Sequence, residues 1–446
     1  MPYATIGRRD LLKRGALFVS MSLTVPSFLA RTVDATSDRA ISAAYGRRKA
    51  LVVIQLGGGN DGLNTVVPYG DPRYYEVRPT VSLPAAQVLP LSGEVGLHPG
   101  MAALKARFDQ GQLAIVQGVG YPNPNRSHFR AMEIWQTAEP NRAPTEGWLG
   151  RYLDAACCGE DRPVQSPTLG ALNFGDTLPL TLWTEHVLVP SIGSIGAFRF
   201  QTDGGEAPDE RMQHLDTFRR LYAQTTAPHV YDDFVRRVGR DALETSETIQ
   251  RIASTYTPAV TYPQTGLANQ LRQVAQVMTG DLGTRIFYVQ QGGYDTHANQ
   301  LNDHARLLQT FSDAVDAFFK DLEAHGWGDD VMVMAFSEFG RRVAENGSAG
   351  TDHGAAAPMF LVGQRIRGGV VGAHPSLTDL QNGDLKHAID FRRVYASVVR
   401  DWLEGDPKQV LGDYEPLPLL PAAPSYGPVP PLEPGKTRTF VPMGVR

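Results

Sequence analysis

The chain has 446 residues, 42% apolar and 20% charged, with a formal net charge of -5 and a pI near 6.1. That length buries a sizeable core as one large or two medium domains, and the mild acidity, without a dense Lys/Arg stripe interleaved with aromatics, argues against a nucleic-acid partner. The only cysteines, Cys157 and Cys158, are adjacent, where a disulfide is strained, so neither a disulfide framework nor a cysteine-rich zinc site is expected.

At the N-terminus, Gly7-Arg8-Arg9-Asp10-Leu11-Leu12-Lys13 precedes a modest apolar stretch, Gly15 to Ala30, interrupted by Ser20, Ser22 and Pro26. This resembles a twin-arginine export signal over residues 1–35, an address read by the export machinery rather than a stable membrane span. Polar residues 36–49 read as a linker. The apolar run Ala50 to Leu56 predicts a buried strand ending in Gly57-Gly58-Gly59-Asn60-Asp61-Gly62, which matches G-x-G-x-x-G. A dinucleotide cradle needs that turn to open a helix; Pro68, Pro72 and Pro79 forbid a continuous one, so the match reads as accidental.

Further along, a helical pattern from Gly100 to Phe108 precedes a strand at Leu113 to Val116. SHFRAMEIWQTA then predicts a helix N-capped by Ser127, with Phe129, Met132 and Trp135 spaced along it. The stretch of about 141–282 changes character and reads as a mainly helical insertion or cap. Strands are expected again at Arg285 to Val289, Val331 to Phe336 and Pro358 to Val362, with helices at Asn302 to His325 and Asp390 to Leu403. The main domain thus spans 50–405, and a Pro-rich tail, 406–446, follows. The order predicts an α/β fold with a mostly parallel sheet.

In such sheets ligands bind outside the carboxyl ends of the strands. The polar residues there are Asn60-Asp61, Arg126-Ser127-His128, Asp295-Thr296-His297, Ser337-Glu338-Phe339-Gly340-Arg341 and Thr351-Asp352-His353-Gly354. Asp61, Asp295, His297, Glu338, Asp352 and His353 form a carboxylate and imidazole set suited to Mg, Mn, Ca or Zn. Each has a plainer reading: Asp61 as a turn former, Ser127 as an N-cap before a nucleophile, Glu338 with Arg341 as an ion pair, the histidines as satisfied loop residues. Their recurrence at four strand ends favours function. His304 begins a helix and faces either solvent or the Asp295 loop.

GGGNDGLNTVVPY, NRSHFRAMEIWQT, QGGYDTHANQ, FSEFGR and GTDHG together resemble the family called domain of unknown function 1501, over about Leu51 to Asp401. That family is similar to the alkaline phosphatase and sulfatase superfamily, which implies a three-layer α/β/α sandwich. The resemblance implies Asp61, Asp295, His297 and His353 as metal ligands and Ser127 as the nucleophile. Phe339 stands where a ligand histidine is expected, and no Cys-x-Pro-x-Arg signature exists, which excludes formylglycine chemistry. The expectation is a periplasmic or secreted metal-dependent hydrolase or transferase of phosphate, sulfate or phosphonate esters, acting on a small-molecule or polymer substrate. In it, Arg126 and Arg341 steady charge and His128 passes a proton. The alternatives are a non-catalytic secreted binding or surface protein on the same scaffold, and an oxidoreductase using a nicotinamide or flavin.

Overall fold

The computed structural model describes residues 49–142, 145–158, 170–185, 187, 189–197, 207–222, 243, 247 and 249–421. The expected export signal, nearly all of the linker and the tail beyond residue 421 lie outside the described residues, as do the side chains of Cys157 and Cys158.

The first apolar run forms β1 (Ala50–Leu56), and after the glycine turn comes a single helical turn, α1 (Gly62–Thr65). The chain continues through α2 (Ala102–Asp109), β2 (Leu113–Gly120), α3 (His128–Thr137), α4 (Trp148–Cys158), β3 (Ala171–Phe174) and β4 (Ser191–Ile192). It ends with α5 (Gly266–Thr279), β5 (Ile286–Gln291), α6 (Gln300–Ala324), β6 (Val331–Phe336), β7 (Ala357–Val362), β8 (Gly369–Val371), β9 (Ile389–Asp390) and α7 (Phe391–Ser397). The strands named above make one sheet in the order β8-β2-β7-β6-β1-β5-β3-β4, with β9 beside β2, and shorter strands form two small sheets apart from it. Within this main sheet every pairing is parallel except those of β7, which runs against both β2 and β6.

Strand alternation explains why the runs are apolar throughout. From β1, Val52 and Ile54 enter one core with α5 and α6, while Leu51 and Val53 enter another with α3, α4 and α7. The result is a three-layer α/β/α sandwich. In α6, Leu308, Phe311, Val315, Phe318, Phe319 and Leu322 recur at helical spacing and are all buried, which is why this helix was legible.

Three expectations are corrected. The stretch 141–282 is not wholly an insertion: β3 pairs with β5, β4 pairs with β3, and α5 packs on α6 and the sheet. The segment expected as a Pro-rich tail from 406 is packed at its start: Pro407–Leu411 is helical and Leu417, Leu419 and Leu420 are buried. The helix expected over 390–403 is α7 followed by a π-helical turn, Val398–Trp402; Trp402 Nε1 then donates to the Ala50 carbonyl at 3.0 Å.

In register, Leu56 lies beside Gln291 and Gln55 beside Phe336. The loops after β1, β5 and β6 therefore leave the same edge of the sheet. Because β2 and β6 both oppose β7, the loop after β2 leaves that edge too.

Candidate metal centre

The turn after β1 is a brace rather than a cradle. Gly58 has φ +120°, and a Cβ there would lie 2.5 Å from the Asp295 backbone nitrogen; Gly59 has φ +77°, and its Cβ would lie 2.3 Å from the Phe339 ring. Only glycine lets the backbone come that close in that conformation. The turn's polar groups are taken up internally: Gly58 N donates to Glu338 Oε1 (2.9 Å) and Asn60 N to Ser337 Oγ (2.9 Å). The carbonyls of Gly58 and Gly59 accept from Arg341. No dinucleotide cradle forms.

Asp61, expected as a ligand, stands outside the converging group and is taken up by protein partners. It is fully buried; Oδ1 accepts from Leu63 N (3.2 Å), and Oδ2 accepts from Arg78 Nη1 (2.6 Å) and Gln300 Nε2 (2.5 Å). Burial raises its pKa, but the Arg78 charge and hydrogen bond and the Gln300 amide prevail and hold it below the ordinary value.

The loops after β2, β5 and β6 do converge. Ligand atoms of His128, Asp295 and His353 lie within 4.8 Å of one another, and His297 Nε2 stands beside this trio, 3.1 Å from Asp295 Oδ1 and 3.0 Å from His353 Nε2. The hydrogen-bond partners fix the tautomers. His353 Nδ1 donates to the Arg126 carbonyl (2.9 Å), His297 Nδ1 to Asp352 Oδ1 (3.2 Å) and His128 Nδ1 to Glu338 Oε1 (2.8 Å). In the neutral rings each Nε2 then carries a lone pair, and all three face Asp295: His353 and His297 at 3.1 Å from Oδ1, His128 at 3.4 Å from Oδ2. Acceptors facing one another at such distances repel unless a proton or a metal cation lies among them. Tetrahedral bonds of about 2 Å put ligand atoms about 3.3 Å apart, so the donor set fits a metal ion. Rings held by a second acceptor are the usual arrangement of metal-binding histidines.

The ligand assignments thereby shift. His128, expected to carry a proton, lies among the candidate ligands. Glu338 and Asp352, expected as ligands, stand behind His128 and His297; Glu338 is buried and also accepts from Gly58 N and Ser337. Phe339, which holds no metal, packs 4.9 Å from the His128 ring and 4.6 Å from the His353 ring, between centroids.

The expected charge stabilisers are taken up elsewhere. Arg341 is buried and donates to Gly59, Gly58, Thr351 and Tyr294 carbonyls and, at 2.8 Å, to Asp295 Oδ1. Arg126 pairs with the buried Asp384. Desolvation raises the Asp295 pKa, but the Arg341 hydrogen bond and charge, with the imidazoles around it, bring it down to about 2, so the centre's carboxylate is ionised. Ser127 is exposed at the start of α3, makes no capping hydrogen bond with its side chain, and does not line the cleft.

That cleft, about 580 Å³, opens against His128, Asp295 and Glu338 and is walled by Phe129, Met132, Leu180, Gln55, Glu133 and Gln136. Phe129 is 92% exposed; α3 turns Ala131, Ile134 and Trp135 to the core with Met132 packed beside them, so of the expected Phe129, Met132 and Trp135 only Phe129 departs. His304 is buried rather than facing solvent: Nε2 lies 2.9 Å from Asn60 Oδ1, and its ring lies 6.1 Å from that of Tyr294 in the Asp295 loop. Arg78 and Gln300 escaped the sequence reading altogether: an arginine in a Pro-rich loop and a glutamine at a helix start carry no local signal.

The family model described as protein of unknown function (DUF1501) matches residues 85–401, beginning later than the resemblance at Leu51. Comparison with curated proteins finds no match. Among solved structures the chain is similar to a protein in the alkaline phosphatase superfamily from Vibrio parahaemolyticus (11% identity, 74% of this chain and 64% of that one, TM-score 0.31). It is also similar to a sulfatase from Pseudoalteromonas sp. (11%, 78% and 69%, TM-score 0.31) and a phosphonate monoester hydrolase from Silicibacter pomeroyi (10%, 86% and 78%, TM-score 0.34). The chain thus spans less than two thirds of the first of these. Likenesses this distant carry no argument about chemistry.

Proposed function

Given that the chain belongs to the family described as protein of unknown function (DUF1501), we propose that it is a metal-dependent hydrolase or transferase of phosphate, sulfate or phosphonate esters, exported by the twin-arginine route to the periplasm or beyond. The observation that carries this reading is the convergence of three lone-pair imidazole nitrogens on the ionised Asp295, beside an open cleft. His128, His297, His353 and Asp295 hold the ion; an imidazole-rich set with one carboxylate suits Zn or Mn better than Ca or Mg. Such an ion supplies Lewis acidity toward an ester oxygen and a nucleophile activated at neutral pH.

The chain's own residues do the rest. Glu338 and Asp352 fix the His128 and His297 rings, and Phe129, Met132 and Leu180 offer an apolar wall to the organic part of an ester. The first turn of α3 directs backbone N–H groups without helical acceptors toward this edge, where they favour an anion. Ser127, at that helix start though outside the cleft's lining, is the hydroxyl the chain itself offers as nucleophile. No described helix is long and apolar enough to cross a membrane.

The test is elemental analysis of full-length protein purified without chelator, with turnover of aryl phosphate, sulfate and phosphonate esters. One equivalent of transition metal is expected, lost with turnover in Asp295→Ala. Absence of stoichiometric metal sinks the reading. A second reading, a non-catalytic binding protein, is favoured by one observation: both expected arginines are occupied by protein partners. Stoichiometric metal without turnover of any ester would select it, and turnover abolished by Ser127→Ala would remove it.

A further inference from the structure

The two loops that bring Asp295, His297 and His353 together are not held only by each other. Between them lies Gln300, the first residue of α6, with no exposure to solvent. Its Oε1 accepts from Thr296 Oγ1 (3.1 Å) and Thr351 Oγ1 (2.6 Å). Thr296 sits between Asp295 and His297, and Thr351 lies two residues before His353. Gln300 Nε2 donates at 2.5 Å to Asp61 Oδ2.

An amide reads the same in outline either way round, so its orientation must be set by a partner. Asp61 is that partner. Ionised, it only accepts, which forces Nε2 toward itself and turns Oε1 onto the two threonines. Asp61 is in turn fixed by Arg78, which also donates to the carbonyls of Arg342 and Val343 in the loop after β6 (2.8 Å each). Thr351 N closes the contact by donating to the Thr296 carbonyl at 3.2 Å.

We propose that Gln300, oriented by Asp61, is a positioning residue that sets the spacing between the Asp295–His297 loop and the His353 loop, and through it the affinity and coordination of the cation they hold. The inference rests on the metal reading above. Ligands on two separate loops bind an ion tightly only if the spacing is set beforehand; otherwise ordering them opposes binding. Loss of an outer partner in such a site commonly weakens metal binding by about 10–100-fold.

The experiment titrates Co²⁺ into metal-free, full-length protein, reading affinity by competition with a chromophoric chelator and coordination from the visible absorption. Gln300→Met keeps the bulk and removes both sets of hydrogen bonds; Asp61→Asn keeps the shape and lets the Gln300 amide turn over. Thr351→Val, which removes one hydroxyl, decides the matter should the first two fail to fold. Weaker binding, by about 10-fold or more, with shifted Co²⁺ bands is expected in Gln300→Met and Asp61→Asn, and a smaller effect of the same kind in Thr351→Val. Unchanged affinity and unchanged bands, alongside a lower melting temperature of the metal-free form, would show a purely structural network and overturn the inference. If the wild-type chain binds no Co²⁺, the metal reading itself falls and takes this with it.

Discussion

His304 and His98 show what single buried residues contribute. Both lie inside the protein beneath the glycine turn, with their rings 6.0 Å apart. Burial lowers His304 to about 3 and His98 to about 4. Below a pH of about 6.5 the unfolded chain takes up protons on these rings while the folded one does not. Stability is therefore intact above that value and falls as pH drops toward 4, by about 1.4 kcal/mol per pH unit for each group. Urea midpoints measured between pH 6.5 and 4.5 should fall, and His304→Gln, which keeps a donor for Asn60, should remove one group's share of the slope. An unchanged slope in that variant would mean His304 is protonated in the fold.

Among the elements, the short turn from β1 into α1 decides most. Its glycines were visible as a motif, but the motif suggested phosphate, whereas the backbone serves as packing for Asp295 and Phe339. The consequence is a sharp contrast between neighbours. A Cβ on Gly57 meets nothing nearer than 3.7 Å, while one on Gly58 lies 2.5 Å from backbone at φ +120°. Gly57→Ala should stay within about 0.5 kcal/mol of wild type. Gly58→Ala should cost about 1–3 kcal/mol from the backbone conformation alone, with the clash in addition, and should displace Asp295 and weaken cation binding. Equal melting temperatures for the two variants would contradict this account of the turn. The α3 helix makes a related point: its existence was legible from spacing and the Ser127 cap position, but its buried face was not, because Phe129 is turned to the cleft.

For the whole molecule, a cation that binds the folded chain alone stabilises it by mass action, about 2.7 kcal/mol at a concentration 100 times its dissociation constant. Chelator should therefore lower the melting temperature, and Zn²⁺ should restore it; His353→Ala should abolish the difference while leaving the metal-free melting temperature close to wild type. A chelator-insensitive melting curve for the wild type would count against a centre built from three separate loops. The three-layer sandwich makes that centre feasible, since β1, β5 and β6 are parallel neighbours and their ends lie side by side.

The sequence by itself determined the strands β1 and β6, the long helix α6 and the identity of the polar residues beyond each strand. Buried strands and amphipathic helices are written in local periodicity, and loops that carry function are rich in the residues that perform it. It also singled out Asp295, His297 and His353. Only the tertiary structure decided which polar residues meet. Asp61 and Glu338 read no differently from ligands, yet one is neutralised by Arg78 from a distant loop and the other anchors His128. Arg341, expected to face substrate, is enclosed by carbonyls from three loops. A side chain's role here is set by its hydrogen-bond partners. Around the candidate site those partners lie up to 283 residues away in the chain, beyond the reach of any local pattern.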